Sequence, residues 1–317
     1  MQEGAGVVVI GATNMDLKAI SRDPVVFGTS NPATTQLSPG GVGRNIADNL
    51  ARLGTRVHLV SVVGDDPLGA ELIESTSEVG VDVSHVRRRE LRTGTYAAVL
   101  TPEGDLVVGI ADTDAAEQIS PLAVRAARDL IERSGAVCLD GTVPAETVHQ
   151  ALTEASRVGV SVVLDPVSVP SARRIAELLG PDVPLDLITP TRAELAVLAG
   201  GLPVETEADL EKAVQVLHGR SVRKVWVRLG RDGSLFSDEE GMTRSPAVDV
   251  EFLARLGAPV DVTGAEEAGL AAYIHARMDG LMARESVRYG LAASALTVTS
   301  PHTVRTDLSD EIIRALL

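Results

Sequence analysis

The sequence has 317 residues, 44% hydrophobic and 23% charged, a length that allows one large α/β domain or two small ones. The net charge of −15 argues against nucleic acid as a partner, because phosphate contacts need an excess of Lys and Arg. The single cysteine, Cys138, excludes an intramolecular disulfide, and its apolar neighbours indicate a buried core thiol. No apolar run is long enough to span a membrane, and residues 1–6 lack a signal-peptide pattern, so the cytoplasm is the expected location.

The first predicted element is a short buried strand with polar residues after it. Residues 7–10 are a β-branched run, typical of a parallel strand, and Asn14 and Asp16 follow at its C-terminal end. Open α/β sheets place their ligands at that end, so these two side chains are candidate ligand-binding residues. An Asx-turn in a loop is the alternative interpretation. Residues 21–39, rich in Ser, Thr, Pro and Asn, predict either a loop or edge strands.

A glycine-rich turn precedes the first predicted helix. Residues 40–45 read Gly-Gly-Val-Gly-Arg-Asn, and apolar residues then recur at helical spacing until Gly54. Such glycines let a ligand approach the backbone closely. The turn lacks the third glycine of a dinucleotide fingerprint, which argues against a nicotinamide dehydrogenase, and the chain contains no Walker loop. Asn45 lies in the first helical turn, where its amide could contact a ligand or cap the helix.

A predicted hairpin interrupts the alternation of strands and helices. Residues 93–100 and 106–110 are two β-rich runs joined by turn-forming residues at 101–105. We expect this hairpin to pair with the segment before the glycine-rich turn. The result would be a small separate sheet, a lid that comprises residues 17–40 and 91–112.

From residue 136 onward, strands and helices alternate regularly. Predicted strands lie at 136–140, 160–164, 185–189 and 224–229, followed by a hairpin at 234–244 and helices at 264–279 and 284–297. This alternation is typical of a mostly parallel sheet covered by helices on both faces. Because no linker or internal repeat is present, we expect one domain over residues 1–317. Asp165 and Glu194 fall where such a sheet places its site residues, and either could hold a Mg²⁺-bound water.

The stretch at 261–269 reads Asp-Val-Thr-Gly-Ala-Glu-Glu-Ala-Gly and opens a long apolar helix. Its small residues, Thr263, Gly264 and Ala265, would let a phosphate approach the free N–H groups of the first turn. The helix dipole favours an anion at that position. A carboxylate beside it could act as general base on a hydroxyl. An ordinary helix start with acidic residues in its first turn is the alternative interpretation.

With these motifs in this order, the chain resembles the PfkB (ribokinase-like) carbohydrate and nucleoside kinases over nearly its whole length. Residues 40–47 match the first signature of that family, and residues 261–265 match the start of the second, D-T-x-G-A-G-D. Asp165 with Pro166, and Gly-Arg-Asp-Gly at 230–233, fit the spacing between the two signatures. Within the family, the sequence of residues 41–54 and 108–112 is similar to that of pseudouridine kinases.

The resemblance implies a ribokinase-like α/β fold and ATP-dependent phosphorylation of a sugar or nucleoside hydroxymethyl group. It also implies ATP and Mg²⁺ as cofactors, with a monovalent cation as a further candidate, and a homodimer formed through the lid. The implied roles fall into four groups: catalysis by Glu267, Gly264 and Ala265; substrate binding by Asn14, Asp16, Gly40, Gly41, Asn45 and Asp112; nucleotide binding by Asp165, Thr191, Glu194, Gly230, Gly233 and Thr263; and a water-mediated metal contact by Glu194.

Four departures from the family pattern fall on the ATP side. Glu267 replaces the catalytic aspartate, Glu266 replaces a glycine, Thr191 replaces the asparagine of N-x-x-E, and the segment 251–259 is longer than usual. Two carboxylates about 4 Å apart at an effective dielectric constant of about 20 repel by roughly 4 kcal/mol, so an inward Glu266 would oppose phosphate binding. The alternative function is therefore a catalytically degenerate protein that binds a sugar or nucleoside without efficient phosphoryl transfer.

Overall fold

A computed structural model describes residues 5–102, 104–181, 184–247 and 263–317. The strands of this part of the chain are β1 Gly6–Ile10, β2 Asn14–Ser21, β3 Ala33–Gly40, β4 Val57–Gly64, β5 Asp82–Arg89, β6 Gly94–Leu100, β7 Leu106–Asp112, β8 Ser134–Asp140, β9 Ser161–Asp165, β10 Leu185–Ile188, β11 Val222–Arg228, β12 Ser234–Asp238 and β13 Gly241–Ser245.

The helices of the described residues are α1 Val42–Arg52, α2 Pro67–Glu78, α3 Asp114–Glu117, α4 Pro121–Ala126, α5 Arg128–Arg133, α6 Ala145–Val158, α7 Val169–Ala176, α8 Arg192–Leu198, α9 Glu207–Gly219, α10 Ala265–Met278, α11 Ala283–Val298 and α12 Asp310–Arg314. Within this part of the chain, no helix combines the length and the apolar character that crossing a membrane requires.

Nine strands form a large sheet in the order β13-β12-β11-β10-β9-β8-β1-β4-β5. The seven strands from β11 to β5 are parallel, and the hairpin of β12 and β13 adds an antiparallel edge. β1 and β8 are buried along their whole length, which explains why their sequences are apolar runs without alternation. The expected mostly parallel α/β sheet is confirmed.

Alternate side chains of the central strands enter two cores on opposite faces of this sheet. Val8 and Ile10 pack in the core that α3–α9 cover, whereas Val7 and Val9 pack in the core beneath α1, α10 and α11. Cys138 is fully buried in the second core, as its apolar neighbours predicted. Both faces of the sheet are therefore covered, and its carboxyl-terminal edge is where the candidate residues gather.

Four further strands form a separate sheet in the order β3-β2-β6-β7. β2 pairs antiparallel with β3 and parallel with β6, so that Asn14 lies opposite both Gly40 and Gly94. The polar segment 21–39 divides accordingly, since residues 33–40 belong to the edge strand β3. The small sheet is confirmed as a structural unit, and its action as a lid stays a prediction.

Two regions were not predicted from the sequence. β5 is an edge strand rich in charged residues, and three short helices, α3, α4 and α5, follow the small sheet. Charged side chains on an edge strand discourage pairing with another chain. They also remove the apolar alternation by which a strand is recognised in a sequence.

Candidate active site

The sugar-side candidates lie together where the chain passes from β1 of the large sheet to β2 of the small sheet. The Asn14 amide Nδ2 donates to Asp16 Oδ1 at 2.7 Å, and a Cβ at Gly40 would lie only 2.3 Å from the Asp16 carboxyl. Burial raises the pKa of Asp16 to about 6, although Lys18 and Arg44 oppose the shift. Only glycine at position 40 leaves room for this carboxylate, so the structure brings Asn14, Asp16 and Gly40 together. Their role in substrate binding stays a prediction.

Asp140, which the sequence analysis missed, fixes the glycine-rich turn. Its Oδ2 accepts hydrogen bonds from the backbone N–H groups of Ala12 (2.8 Å) and Gly43 (2.9 Å), and Thr142 donates to its Oδ1. Gly41 has a φ of 94°, and a Cβ there would lie 2.5 Å from the Ala12 carbonyl oxygen. One buried carboxylate thus ties the end of β1 to the start of α1. Its position at the end of a buried strand was the available signal.

Asn45 connects the sugar side to the second signature. Arg44 forms an ion pair with Asp48 and donates from Nη1 to Asn45 Oδ1 at 2.9 Å. With its oxygen engaged in this way, Asn45 directs its Nδ2 toward Glu267 Oε1 at 3.4 Å. The two signature motifs, far apart in the sequence, therefore meet at this amide and carboxylate.

The start of α10 holds the three candidate catalytic residues. Gly264 is the N-cap with φ 84°, and a Cβ on it would lie 1.7 Å from the Thr303 carbonyl oxygen. The Ala265 carbonyl accepts from Ser294 Oγ at 2.7 Å. Burial raises the pKa of Glu267 to about 7, and the charges of Glu266 and Asp165 add to the rise. Thr263 lies just before this helix. Asp261 and the longer segment 251–259 lie outside the described residues.

Arg228, at the end of β11, was also missed by the sequence analysis. It forms ion pairs with three of the carboxylates. Its Nη1 and Nη2 contact the two oxygens of Asp165 at 2.8 and 3.2 Å. Its Nη1 lies 3.0 Å from Glu266 Oε2, and its Nη2 lies 3.8 Å from Glu194 Oε2. Burial lowers the pKa of Arg228, but the ionic contacts outweigh burial and hold that pKa above its ordinary value. Glu266 is thereby directed at a cation.

The two metal candidates, Asp165 and Glu194, differ in how many hydrogen bonds their carboxylate oxygens already accept from the protein. Asp165 is bound on both oxygens by Arg228 and also accepts from Val167 N–H and Thr189 Oγ1. Glu194 Oε2 accepts from Thr191 N–H at 2.8 Å within a capping box at the start of α8. Burial raises the pKa of Glu194. Of the two, Glu194 better fits a water-mediated contact with Mg²⁺, which keeps several of its own waters.

The remaining candidates lie at the rim of this site. Gly230 and Gly233 bracket the 3₁₀ turn after β11, and a Cβ at Gly233 would lie 2.1 Å from the Ser245 carbonyl oxygen. Asp112 ends β7, is exposed, and lies opposite Thr95. Because Asn14 pairs with the neighbouring Gly94, Asp112 stands at the same end of the small sheet as Asn14, with β6 between their strands.

Comparison with known proteins decides the family. The model of the pfkB family carbohydrate kinases matches residues 5–310. The chain belongs to this family. The uncharacterized sugar kinase YeiI of Escherichia coli is 35% identical over 298 residues, 92% of this chain and 78% of the relative. The pseudouridine kinase of E. coli is 30% identical over 314 residues, 98% of this chain and 95% of the relative.

Solved structures of the family show the same fold. The structure of Arabidopsis thaliana ribokinase complexed with ribose and ATP is 25% identical in sequence, with a TM-score of 0.82. The match covers 100% of this chain and 99% of that chain. The resemblance in the two signature motifs is thus confirmed at the level of the whole fold, and the relatives named here are sugar and nucleoside kinases.

Proposed function

We propose that the protein is an ATP-dependent kinase that phosphorylates a nucleoside hydroxymethyl group, with pseudouridine as the first substrate to test. The observation that carries this proposal is the contact between Asn45 and Glu267, which joins the sugar-side residues to a carboxylate at the N-terminus of α10. The pseudouridine kinase of E. coli, 30% identical over nearly all of both chains, supports the choice of substrate.

Glu267 would act as the general base. A pKa raised to about 7 lets the carboxylate accept the proton of a sugar hydroxyl at neutral pH, because a base is most effective near the working pH. The hydroxyl oxygen then attacks the terminal phosphorus of ATP, and ADP leaves. The backbone N–H groups of Gly264 and Ala265 lie at the start of α10, where the helix dipole favours the charge on the transferring phosphoryl group.

The nucleotide would lie along the loop after β11 and the start of α10. Gly230 and Gly233 offer backbone surface at that loop, with Thr191 at the start of α8 and Thr263 before α10. Glu194 would hold Mg²⁺ through a water molecule. When bound, Mg²⁺ would neutralise the phosphate charges that the carboxylates of this site repel.

The sugar would lie over the glycine-rich turn. Asn14 and Asp16 present an amide and a carboxylate there, and the missing side chains of Gly40 and Gly41 let a sugar ring approach the backbone. Asp112 would contact the substrate from the small sheet. We further propose that this sheet acts as a lid and that two chains form a homodimer through it.

The test is detection of phosphorylated product by mass spectrometry. The protein is incubated with MgATP and pseudouridine, uridine or ribose, alongside Glu267→Gln and the double variant Glu266→Gly/Glu267→Asp. Product from the unmodified protein, formed at least about 100-fold more slowly by Glu267→Gln, is the expected result. Product from the double variant alone would favour the degenerate binding protein, as would a melting temperature that rises with nucleoside and not with MgATP.

A further inference from the structure

Arg228 lies among three carboxylates that hold it unequally. Asp165 is 3% exposed, contacts Arg228 through both oxygens, and is itself anchored by Val167 and Thr189. Glu266 is 50% exposed, and its Oε2 lies 3.0 Å from Nη1 of the guanidinium. Asp165 is therefore the permanent partner of Arg228, whereas Glu266 can exchange its contact for water.

The position of Glu266 is the second relevant fact. It is the second residue of α10, beside the base Glu267 and in the first turn, where free N–H groups face an anion. Its carboxylate thus contacts a guanidinium beside a helix N-terminus, and both of these groups bind phosphate oxygens in proteins. Carboxylate and phosphate are the two anions whose geometry matches the arginine fork.

The excess of negative charge in this cluster requires that one carboxylate move away before a phosphate can bind. Among the residues that the structure describes, Asp165, Glu194 and Glu266 all contact one cation, Arg228, whose side chain is only 12% exposed. A nucleotide phosphate that entered with Glu266 in place would meet an additional carboxylate at close range. Rotation of the half-exposed Glu266 into solvent removes that repulsion and frees one face of the guanidinium at the same time.

We propose that Glu266 is a built-in substitute for a nucleotide phosphate oxygen, and that Arg228 is the cation that binds the phosphate once Glu266 is displaced. This inference rests on the proposed kinase function. It assigns Arg228 as a further phosphate-binding residue, and it explains how the chain accommodates a glutamate where the family pattern has glycine.

A double-mutant cycle in nucleotide binding tests the inference. Titration calorimetry measures the Kd of the non-hydrolysable MgAMP-PNP, with adenosine as a probe that lacks phosphate. Glu266→Gln should tighten MgAMP-PNP binding by about tenfold and leave the adenosine Kd unchanged, because only a phosphate competes for Arg228. Glu240→Gln is the matched control. Glu240 is an exposed glutamate in the turn of the β12–β13 hairpin, and it forms an ion pair with Arg284 of α11.

The second background removes the cation together with Asp165, the carboxylate that contacts it through both oxygens. Asp165→Asn/Arg228→Gln replaces the buried ion pair with two amides, and removing Arg228 alone would strand the Asp165 carboxylate. In this background Glu266→Gln should give no gain in MgAMP-PNP affinity. If the double variant does not fold, Arg228→Lys replaces it, because a single ammonium cannot span both carboxylates, and the gain should shrink below about threefold.

The outcomes separate this inference from the proposed function. Equal gains in both backgrounds would mean that Glu266 merely repels phosphate, and Arg228 would lose its assigned role while the kinase proposal stands. Binding of MgAMP-PNP unaffected by Glu266→Gln would overturn the inference as well. Failure of the unmodified protein to bind MgAMP-PNP at all would overturn both.

Discussion

At the residue scale, the proposed chemistry depends on one carboxylate with an altered proton affinity. Burial raises the pKa of Glu267 from 4.5 to about 7, and the negative charges of Glu266 and Asp165 act in the same direction. The hydrogen bond from Asn45 opposes them by stabilising the ionised form. The interactions that destabilise the ionised carboxylate therefore make it able to accept a proton at neutral pH.

The pH dependence of kcat/KM should report this group, because kcat/KM follows ionisations of the free enzyme. We expect kcat/KM to rise with pH through an ionisation near 7, since Glu267 must be deprotonated to act as base. Glu267→Gln should lower kcat by about 10²–10⁴-fold. Glu266→Gln removes a like charge and should move the ionisation to lower pH. Steady-state rates across the neutral range check this, and a flat profile would contradict it.

The same ionisation should affect stability. The folded pKa of about 7 exceeds the ordinary 4.5, so the folded state binds the proton more tightly than the unfolded state. This contribution to stability is complete below about 4.5 and is lost as pH rises through about 7. Glu267→Gln should therefore raise the free energy of unfolding at pH 8, on the order of 1–3 kcal/mol, with little change at acidic pH. Urea denaturation at the two pH values measures it; equal effects at both would refute it.

At the element scale, the position of α10 depends on a glycine that no other residue can replace. Gly264→Ala would put a methyl group 1.7 Å from the Thr303 carbonyl oxygen at a φ of 84°. The helix start must then shift by about 1 Å, and a shift of that size can reduce the rate on the order of 100-fold. We expect such a loss in kcat/KM together with a lower melting temperature.

Gly280→Ala is the control for this substitution. Gly280 follows the other end of the same helix and also has a positive φ, 88°, but a Cβ there would meet nothing within 4 Å. Its replacement should cost only the backbone strain, roughly 1 kcal/mol, and leave kcat/KM unchanged. Similar activity losses in both variants would mean that the contact with Thr303 does not position the catalytic residues.

Sequence pattern predicted the elements that local spacing encodes. The central strands, the glycine-rich turn and the start of α10 were recognisable because apolar runs and glycines mark them within a few residues. Arg228 and Asp140 were missed because their partners lie far away in the chain, as Asp165 does from Arg228. Pairings of that kind depend on the order of the strands in the sheet, which cannot be read from a short stretch of sequence. The direction of Glu266 was open for the same reason.

At the scale of the whole molecule, the small sheet leaves one apolar face exposed. Leu17 lies opposite Leu37 and Ala97, and Ala97 lies opposite Ile110, so these four side chains form one row across the sheet. Leu37 is 52% exposed and Ile110 is 67% exposed. Contiguous apolar side chains on a sheet face mark a protein–protein contact more often than isolated ones do. This row is where the proposed homodimer would form.

Leu37→Glu/Ile110→Glu should therefore convert a dimer to a monomer, because burying two carboxylates against an apolar partner is costly. Sedimentation velocity measures the mass directly. If the dimer holds the sheet over the sugar, the KM for the nucleoside should rise about tenfold or more while the binding of MgAMP-PNP is unchanged, since the nucleotide side lies on the large sheet. Leu122→Glu is the control, an equally exposed leucine on α4 outside the small sheet. An unmodified protein that sediments as a monomer would refute the dimer. An unchanged KM for the nucleoside in a monomeric variant would show that substrate binding does not depend on dimerisation.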